Sequence, residues 1–178
     1  MKTLTLSLVV AATTALAGAC STGSLDPGPP PPEPTTVTFE LRNDSAPAVY
    51  LFQSCLVDLT ITSLADPPRV IEREGPCGCD CGIASCPVCG ACYQGSLEVA
   101  GGALRSEYWN TVSVTYEPAP TGTCERKHAL PAGQYRIDVP VYPTAEDAAA
   151  RTNARIVAQT FTLPAPDATI HVPLGLTR

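Results

Sequence analysis

Six cysteines crowd into sixteen residues near the middle of this chain: Cys77-Gly78-Cys79-Asp80-Cys81, then Cys86-Pro87-Val88-Cys89-Gly90-Ala91-Cys92. Thiols at this density can bridge, hold a soft metal as thiolates, or exchange disulfides. Gly, Asp and Pro stand between them, with almost no side chain that could build a core. Cys55 and Cys124 raise the number beyond Cys20 to eight. An even count in an exported chain makes four disulfides the expected chemistry, and the cluster reads as a long insertion that is stapled because it cannot bury a core. Each bridge contributes about 2–4 kcal/mol.

Backbone geometry limits the pairing. In an extended Cys-x-Cys the two Cα atoms lie roughly 6.5 Å apart, near the upper limit for a bridge. Cys77, Cys79 and Cys81 are therefore expected to bond elsewhere rather than to each other. Bridges from this trio to Cys86, Cys89 and Cys92 would fold residues 75–94 back on themselves. Cys55 and Cys124 would then join each other across a sheet, or pin the loop to it. Roughly a hundred connectivities stay formally open.

Metal is the alternative chemistry. Cys86-x-x-Cys89-x-x-Cys92 is similar to part of a ferredoxin cluster motif, and the dense Cys-x-Cys resembles metallothionein; thiolates of either kind suit zinc or copper(I). The ferredoxin likeness lacks its fourth ligand at the usual spacing, and oxidising conditions remove free thiolates. No histidine falls in the cluster, and His128 and His171 read as solvated loop or strand residues. Cys86-Pro87-Val88-Cys89 has the spacing of thioredoxin-like motifs, but no βαβ pattern surrounds it. No metal or other cofactor is expected.

The remaining cysteine, Cys20, belongs to a different signal. Lys2 precedes an apolar run from Leu4 to Ala17, and Ala17-Gly18-Ala19 then leads into Cys20. A basic start, an apolar centre and small residues before a cut describe a secretory signal peptide. With the cysteine directly after them, the pattern resembles the lipobox of bacterial lipoproteins, although Ala17 stands where a large aliphatic residue is usual. That resemblance implies a signal peptide over residues 1–19, cleavage before Cys20, and acylation of its thiol and new amino group. The same small residues also suit an ordinary signal-peptidase cut. The next stretch favours the anchor: residues 20–36 hold Pro27, Pro29, Pro30, Pro31, Pro32 and Pro34. In polyproline II such a tether rises about 3.1 Å per residue and could hold a domain roughly 40 Å from a membrane. Ser21 after the cysteine, rather than Asp, is similar to outer-membrane lipoproteins, so the expected location is the outer membrane, on its periplasmic or outer face. The run before Cys20 is shorter than the roughly 20 apolar residues that span a bilayer.

Composition narrows the function. Seventeen acidic residues face eleven basic ones, one of them Lys2 in the leader, so no basic stripe exists to neutralise phosphates and no nucleic-acid partner is expected. No Gly-x-Ser-x-Gly elbow, P-loop or dinucleotide fingerprint occurs, and the chain is not expected to be an enzyme. Glu72 and Glu74 flank Arg73 in what reads as a solvated face. Trp109 reads as core packing rather than as a binding surface with Tyr108.

The elements that must hold the cysteines read as strands. Nineteen prolines and thirteen glycines argue for frequent turns. Val37, Phe39 and Leu41 alternate with polar residues until Asn43-Asp44-Ser45 turns the chain, and Val49 to Phe52 is a short buried run. Val57, Leu59 and Ile61 alternate next. Tyr108 to Tyr116 puts Val112, Val114 and Tyr116 on one face and Trp109 on the other. Tyr135, Ile137, Val139 and Val141 follow Pro131-Ala132-Gly133, and Arg155–Leu163 and Thr169–Leu174 close the set. One short helix is expected, capped by Thr144 with Asp147 three residues on and Ala145, Ala148, Ala149 and Ala150 behind. Seven to nine short strands predict an all-β fold: a single antiparallel, immunoglobulin-like β-sandwich over residues 37–178 with a cysteine-rich insertion at 72–96; a partly closed barrel is the alternative.

Asn43-Asp44-Ser45, Trp109 and Leu130-Pro131-Ala132-Gly133-Gln134-Tyr135 together resemble bacterial immunoglobulin-like sandwiches, among them the intracellular proteinase-inhibitor domains. The expectation is a non-catalytic, membrane-anchored lipoprotein whose disulfide-knit loop serves structure or a protein partner. The alternatives are a zinc- or copper-binding lipoprotein and an inhibitor-like module.

Overall fold

A computed structural model describes residues 35–83, 86, 89–119, 122–164 and 168–175. The expected signal peptide 1–19, Cys20 and most of the expected tether lie outside the described residues. Twelve strands and one short helix occur among them, more strands than the seven to nine expected. In order they are β1 (Val37–Arg42), β2 (Val49–Ser54), β3 (Leu56–Val57), β4 (Thr60–Ser63), β5 (Arg69–Ile71) and β6 (Gln94–Val99). Then follow β7 (Leu104–Trp109), β8 (Val112–Ala119), β9 (Gly122–Ala129), β10 (Gly133–Val141), α1 (Ala145–Ala150), β11 (Arg155–Leu163) and β12 (Thr169–Pro173).

The strands form four sheets, ordered β12-β1-β7, β11-β10-β4-β5, β3-β2-β6 and β8-β9. Pairing is antiparallel except between β1 and β12, which run parallel with Phe39 opposite Ile170. That pair departs from the wholly antiparallel expectation: the first and last strands of the domain lie side by side.

The period-two pattern explains which side chains go inside. Val37, Phe39 and Leu41 of β1 are buried, as are Tyr135, Ile137, Val139 and Val141 of β10, because alternate residues share a face. They join one core with Val49 and Leu51 of β2, Ile61 of β4, Trp109 of β7 and Phe161 of β11. Phe161 meets three other rings in it, with its ring centroid 5.6 Å from Phe39, 5.8 Å from Tyr135 and 6.3 Å from Trp109. Burying each such ring removes enough apolar surface to stabilise the fold by roughly 1.5–3 kcal/mol.

Two expected strands are broken. The alternation of Val57, Leu59 and Ile61 survives as burial, but Asp58 and Leu59 carry the chain from the sheet of β3 to that of β4. Likewise β7 ends at Trp109 and β8 starts at Val112, with Thr111 between them at φ 52°. Thr111 Oγ1 donates to the Thr35 carbonyl at 2.8 Å, and the break lets Trp109, Val112 and Val114 all face inward while Tyr116 is exposed. The expectation that Trp109 faces away from Val112 and Val114 is thereby corrected.

Helix α1 has the expected cap: Asp147 N–H donates to Thr144 Oγ1 at 3.0 Å. It spans six residues and ends at Arg151, in the left-handed region with its guanidinium 3.8 Å above the Phe52 ring. Ala148 packs with Phe52 and Tyr142 in a small second core.

Candidate functional site

The eight cysteines stand in four pairs at disulfide distance. Cys77 faces Cys89 and Cys79 faces Cys86, with Cα separations of 5.8 and 5.1 Å, which closes two nested loops inside the insertion. Cys81 pairs with Cys124 on β9, and Cys92 pairs with Cys55 between β2 and β3, each at 4.9 Å. All four separations suit a disulfide. As the geometry of Cys-x-Cys predicts, no bridge forms within the Cys77, Cys79, Cys81 trio. The trio reaches Cys86 and Cys89 but not Cys92, because Cys81 turns to the sheet instead. Cys55 and Cys124 do not join each other; Cys55 pins the end of the insertion through Cys92, and Cys124 pins its middle through Cys81. Cys86 and Cys89 have different partners, so the thioredoxin-like spacing does not make a local pair.

The insertion is shorter at its end than residues 72–96 suggest, since Gln94 already begins β6. Its first part wraps the β8–β9 hairpin. Val114 N–H on β8 donates to the Glu72 carbonyl at 2.9 Å. On β9, Glu125 N–H donates to the Cys79 carbonyl at 2.6 Å, and Cys81 N–H donates to the Glu125 carbonyl at 2.9 Å. These two bonds make a parallel bridge between Asp80 and Glu125. Residues 72–81 therefore pass from one edge of the hairpin to the other, and the Cys81–Cys124 pair fastens the crossing. The crossing is close at Gly78: a Cβ there would lie 2.6 Å from Glu125 Cδ, so any larger residue would push the Glu125 carboxyl aside.

Beneath the crossing lies a charged cluster that sequence spacing does not reveal. Lys127, the only lysine beyond Lys2, forms ion pairs with Glu74 and with Asp80, the latter at 2.9 Å. Hydrogen bonds to both carboxylates hold its ammonium charged well above the ordinary lysine range. Asn110 Nδ2 donates to Glu74 Oε2 at 2.6 Å. Glu125, on the same face of β9 as Lys127, is only 7 % exposed, and its Oε2 has no hydrogen-bond partner among the described residues. Burial pushes its carboxyl up, helped by Glu74 and Asp80 and opposed by Lys127 and a Gly75 backbone hydrogen bond.

The reading of Glu72-Arg73-Glu74 as a solvated face is corrected here. Glu72 is exposed, but Arg73 and Glu74 are half-buried. Arg73 donates to the Val57 carbonyl at 3.0 Å, and its pKa is lowered chiefly by burial, against the opposing pull of Glu107 and Asp58.

One group of soft and hard donors also meets on the hairpin. Glu117 and Cys124 are direct cross-strand partners, and Cys81 Sγ, Cys124 Sγ and a Glu117 oxygen lie within 4.8 Å of one another. Both sulfurs are engaged in the Cys81–Cys124 pair, and Glu117 accepts from Arg126 at 2.5 and 2.7 Å. Thiolate ligation there requires prior reduction. The histidines lie elsewhere: His128 is hydrogen-bonded with Thr115 at 3.0 Å, and His171 on β12 faces Glu40 at 2.8 Å. Trp109 is 3 % exposed and Tyr108 69 %, so the two do not form a joint aromatic surface. No protein-family model, curated protein or solved structure matches this chain.

Proposed function

We propose that the chain is a non-catalytic exported lipoprotein, anchored in the outer membrane through acylated Cys20, that presents the wrapped hairpin and the cysteine-rich loop to a protein partner. The observation that carries this reading is the partition of the cysteines. All eight beyond Cys20 have a partner at disulfide distance, which suits an oxidising compartment and leaves the odd cysteine at the end of the leader. Two of the pairs tie the loop to the rest of the domain, at Cys55 between β2 and β3 and at Cys124 on β9. Exposed Ile83 and Tyr93 on the loop and Tyr116 on the hairpin are side chains suited to protein contact.

We further read the sheets as an immunoglobulin-like sandwich. Support comes from the single core shared by β1, β2, β4, β7, β10 and β11. A second support is Tyr135 at the start of β10, whose hydroxyl donates to the Pro131 carbonyl at 2.8 Å, a bond of the tyrosine-corner type.

Fractionation of cells expressing the natural chain and Cys20→Ala tests the anchor. The natural chain is expected in the membrane fraction and the variant in the soluble one; a variant that stays with membranes refutes it. Pull-down with the natural chain and with Tyr93→Ala tests the display, and identical partner recovery would remove the loop from the interface.

A further inference from the structure

Two guanidinium groups line one small cavity beside the first residues of the insertion. Its volume is about 220 Å³, and its walls include Arg73, Arg151, Ser54, Leu56, Asp58 and Pro76. Elsewhere in this acidic chain the cations find carboxylates: Arg42, Arg105, Arg126, Arg136 and Lys127 each form an ion pair. Among the described residues Arg73 and Arg151 form none. Arg73 is half-buried and donates once, from Nη2 to the Val57 carbonyl, so its other donors have no acceptor among the described residues. Burial is the largest influence on its charge and outweighs the attraction of Glu107 and Asp58. A half-buried cation without a contacting anion is costly, and an anion entering the cavity would relieve that cost. Arg151 is already held in place. Its backbone N–H donates to the Ala148 carbonyl at 3.2 Å, and its guanidinium lies 3.8 Å over the Phe52 ring. Stacking of this kind orients the fork before any ligand arrives.

We propose that Arg73 and Arg151 form a binding site for one carboxylate group carried on a short apolar stem. A guanidinium fork matches a planar carboxylate, with two parallel N–H groups donating to its two oxygens. Asp58 on the same wall repels a doubly charged phosphate more strongly than a singly charged carboxylate. Leu56 and Pro76 offer apolar contact to a few methylenes, and Ser54 supplies a hydroxyl. The cavity is smaller than the about 300–1,000 Å³ of pockets that enclose drug-sized ligands, so a small organic acid fits and a nucleotide does not. This site uses neither the cysteines nor the lipid anchor, and its test needs no protein partner.

The side-chain N–H signals of Arg73 and Arg151, followed by nuclear magnetic resonance in the isotope-labelled, oxidised full chain, read the site directly. Titration with sodium butyrate at constant ionic strength should shift both signals along one saturating curve, with a Kd of about 1–10 mM. Butyramide, the neutral counterpart, and inorganic phosphate should each bind about tenfold more weakly or worse. Arg151→Gln, an exposed change, should weaken butyrate binding about tenfold, read at Arg73. Arg73→Lys keeps the charge but removes the fork, and should weaken binding as well, read at Arg151. Arg136→Gln, an exposed change on β10, should leave binding unchanged. Should Arg73→Lys fail to fold, as judged by circular dichroism, Arg151→Gln carries the reading. Three results would each overturn the proposal: no saturable shift up to about 50 mM butyrate, binding of butyramide or phosphate as tight as that of butyrate, or undiminished butyrate binding by folded Arg151→Gln or Arg73→Lys.

Discussion

Removing the Cys81–Cys124 bridge should cost more stability than removing either bridge internal to the loop. The chain-entropy relation grows with the number of residues closed. The sequence separation is 43 for Cys81–Cys124, 12 for Cys77–Cys89 and 7 for Cys79–Cys86. Those lengths correspond to about 4, 3 and 2 kcal/mol respectively. Against the 5–15 kcal/mol typical of a whole domain, the first loss is large. It also has a local consequence, because this bridge fastens residues 72–81 over the hairpin. The double variants Cys81→Ala/Cys124→Ala and Cys79→Ala/Cys86→Ala can be compared by urea unfolding without reductant, followed through Trp109 fluorescence. Alanine avoids leaving a hydroxyl unsatisfied at buried Cys124. Native-state hydrogen exchange adds a local readout: the Glu125 and Cys81 amides should lose protection only in the first variant. Equal costs for the two variants, or a Cys81/Cys124 loss below about 1 kcal/mol, would refute the view of this bridge as the main staple.

Other perturbations separate the packing from the cluster. Asn43 is fully buried; it donates to the Pro47 and Val99 carbonyls at 2.8 and 2.9 Å and accepts from Ser45. Asn43→Ala should therefore lower stability by about 2–3 kcal/mol in urea unfolding, and a neutral result would contradict those bonds. Phe39→Ala, opening a gap between Trp109 and Phe161, should cost about 3–5 kcal/mol by the same measurement, and a loss below about 1 would be inconsistent with a shared core. Glu125→Gln should stabilise the chain near neutral pH by about 1 kcal/mol. The sign follows from a folded pKa raised above the unfolded one: that contribution is fully present below the unfolded carboxylate range and lost as pH climbs through the folded value. Stability of the natural chain should accordingly fall over that window relative to Glu125→Gln, and parallel pH profiles would exclude the effect. The single tryptophan, Trp109, should emit at short wavelength and resist acrylamide, because its ring is buried; emission like free indole would place it wrongly.

Some of this structure is legible in the residues alone. The alternation at Val37, Phe39 and Leu41 and at Tyr135 to Val141 names the buried faces, because a strand has no other way to sort its side chains. Thr144 and Asp147 mark the helix start through local hydrogen bonding. β9 is not legible, since Glu125-Arg126-Lys127-His128 shows no apolar alternation; cross-strand pairing and the loop crossing make it a strand. The break at Thr111 is equally hidden, as a threonine at positive φ is held there by Thr35, distant in sequence. For the cysteines, spacing excludes bridges within the trio but cannot tell Cys92 from Cys124 as a partner. That choice depends on β9 lying beside Cys81. The Glu74, Asp80, Glu125 and Lys127 cluster joins residues up to 53 positions apart and exists only after the hairpin is wrapped.

The intact mass of the chain recovered from membranes, before and after reduction, tests the combined reading most directly. The expected species begins at acylated Cys20 and gains eight hydrogens on reduction, two for each of the four pairs. A chain without lipid at Cys20, or one whose mass does not change with reductant, would contradict it.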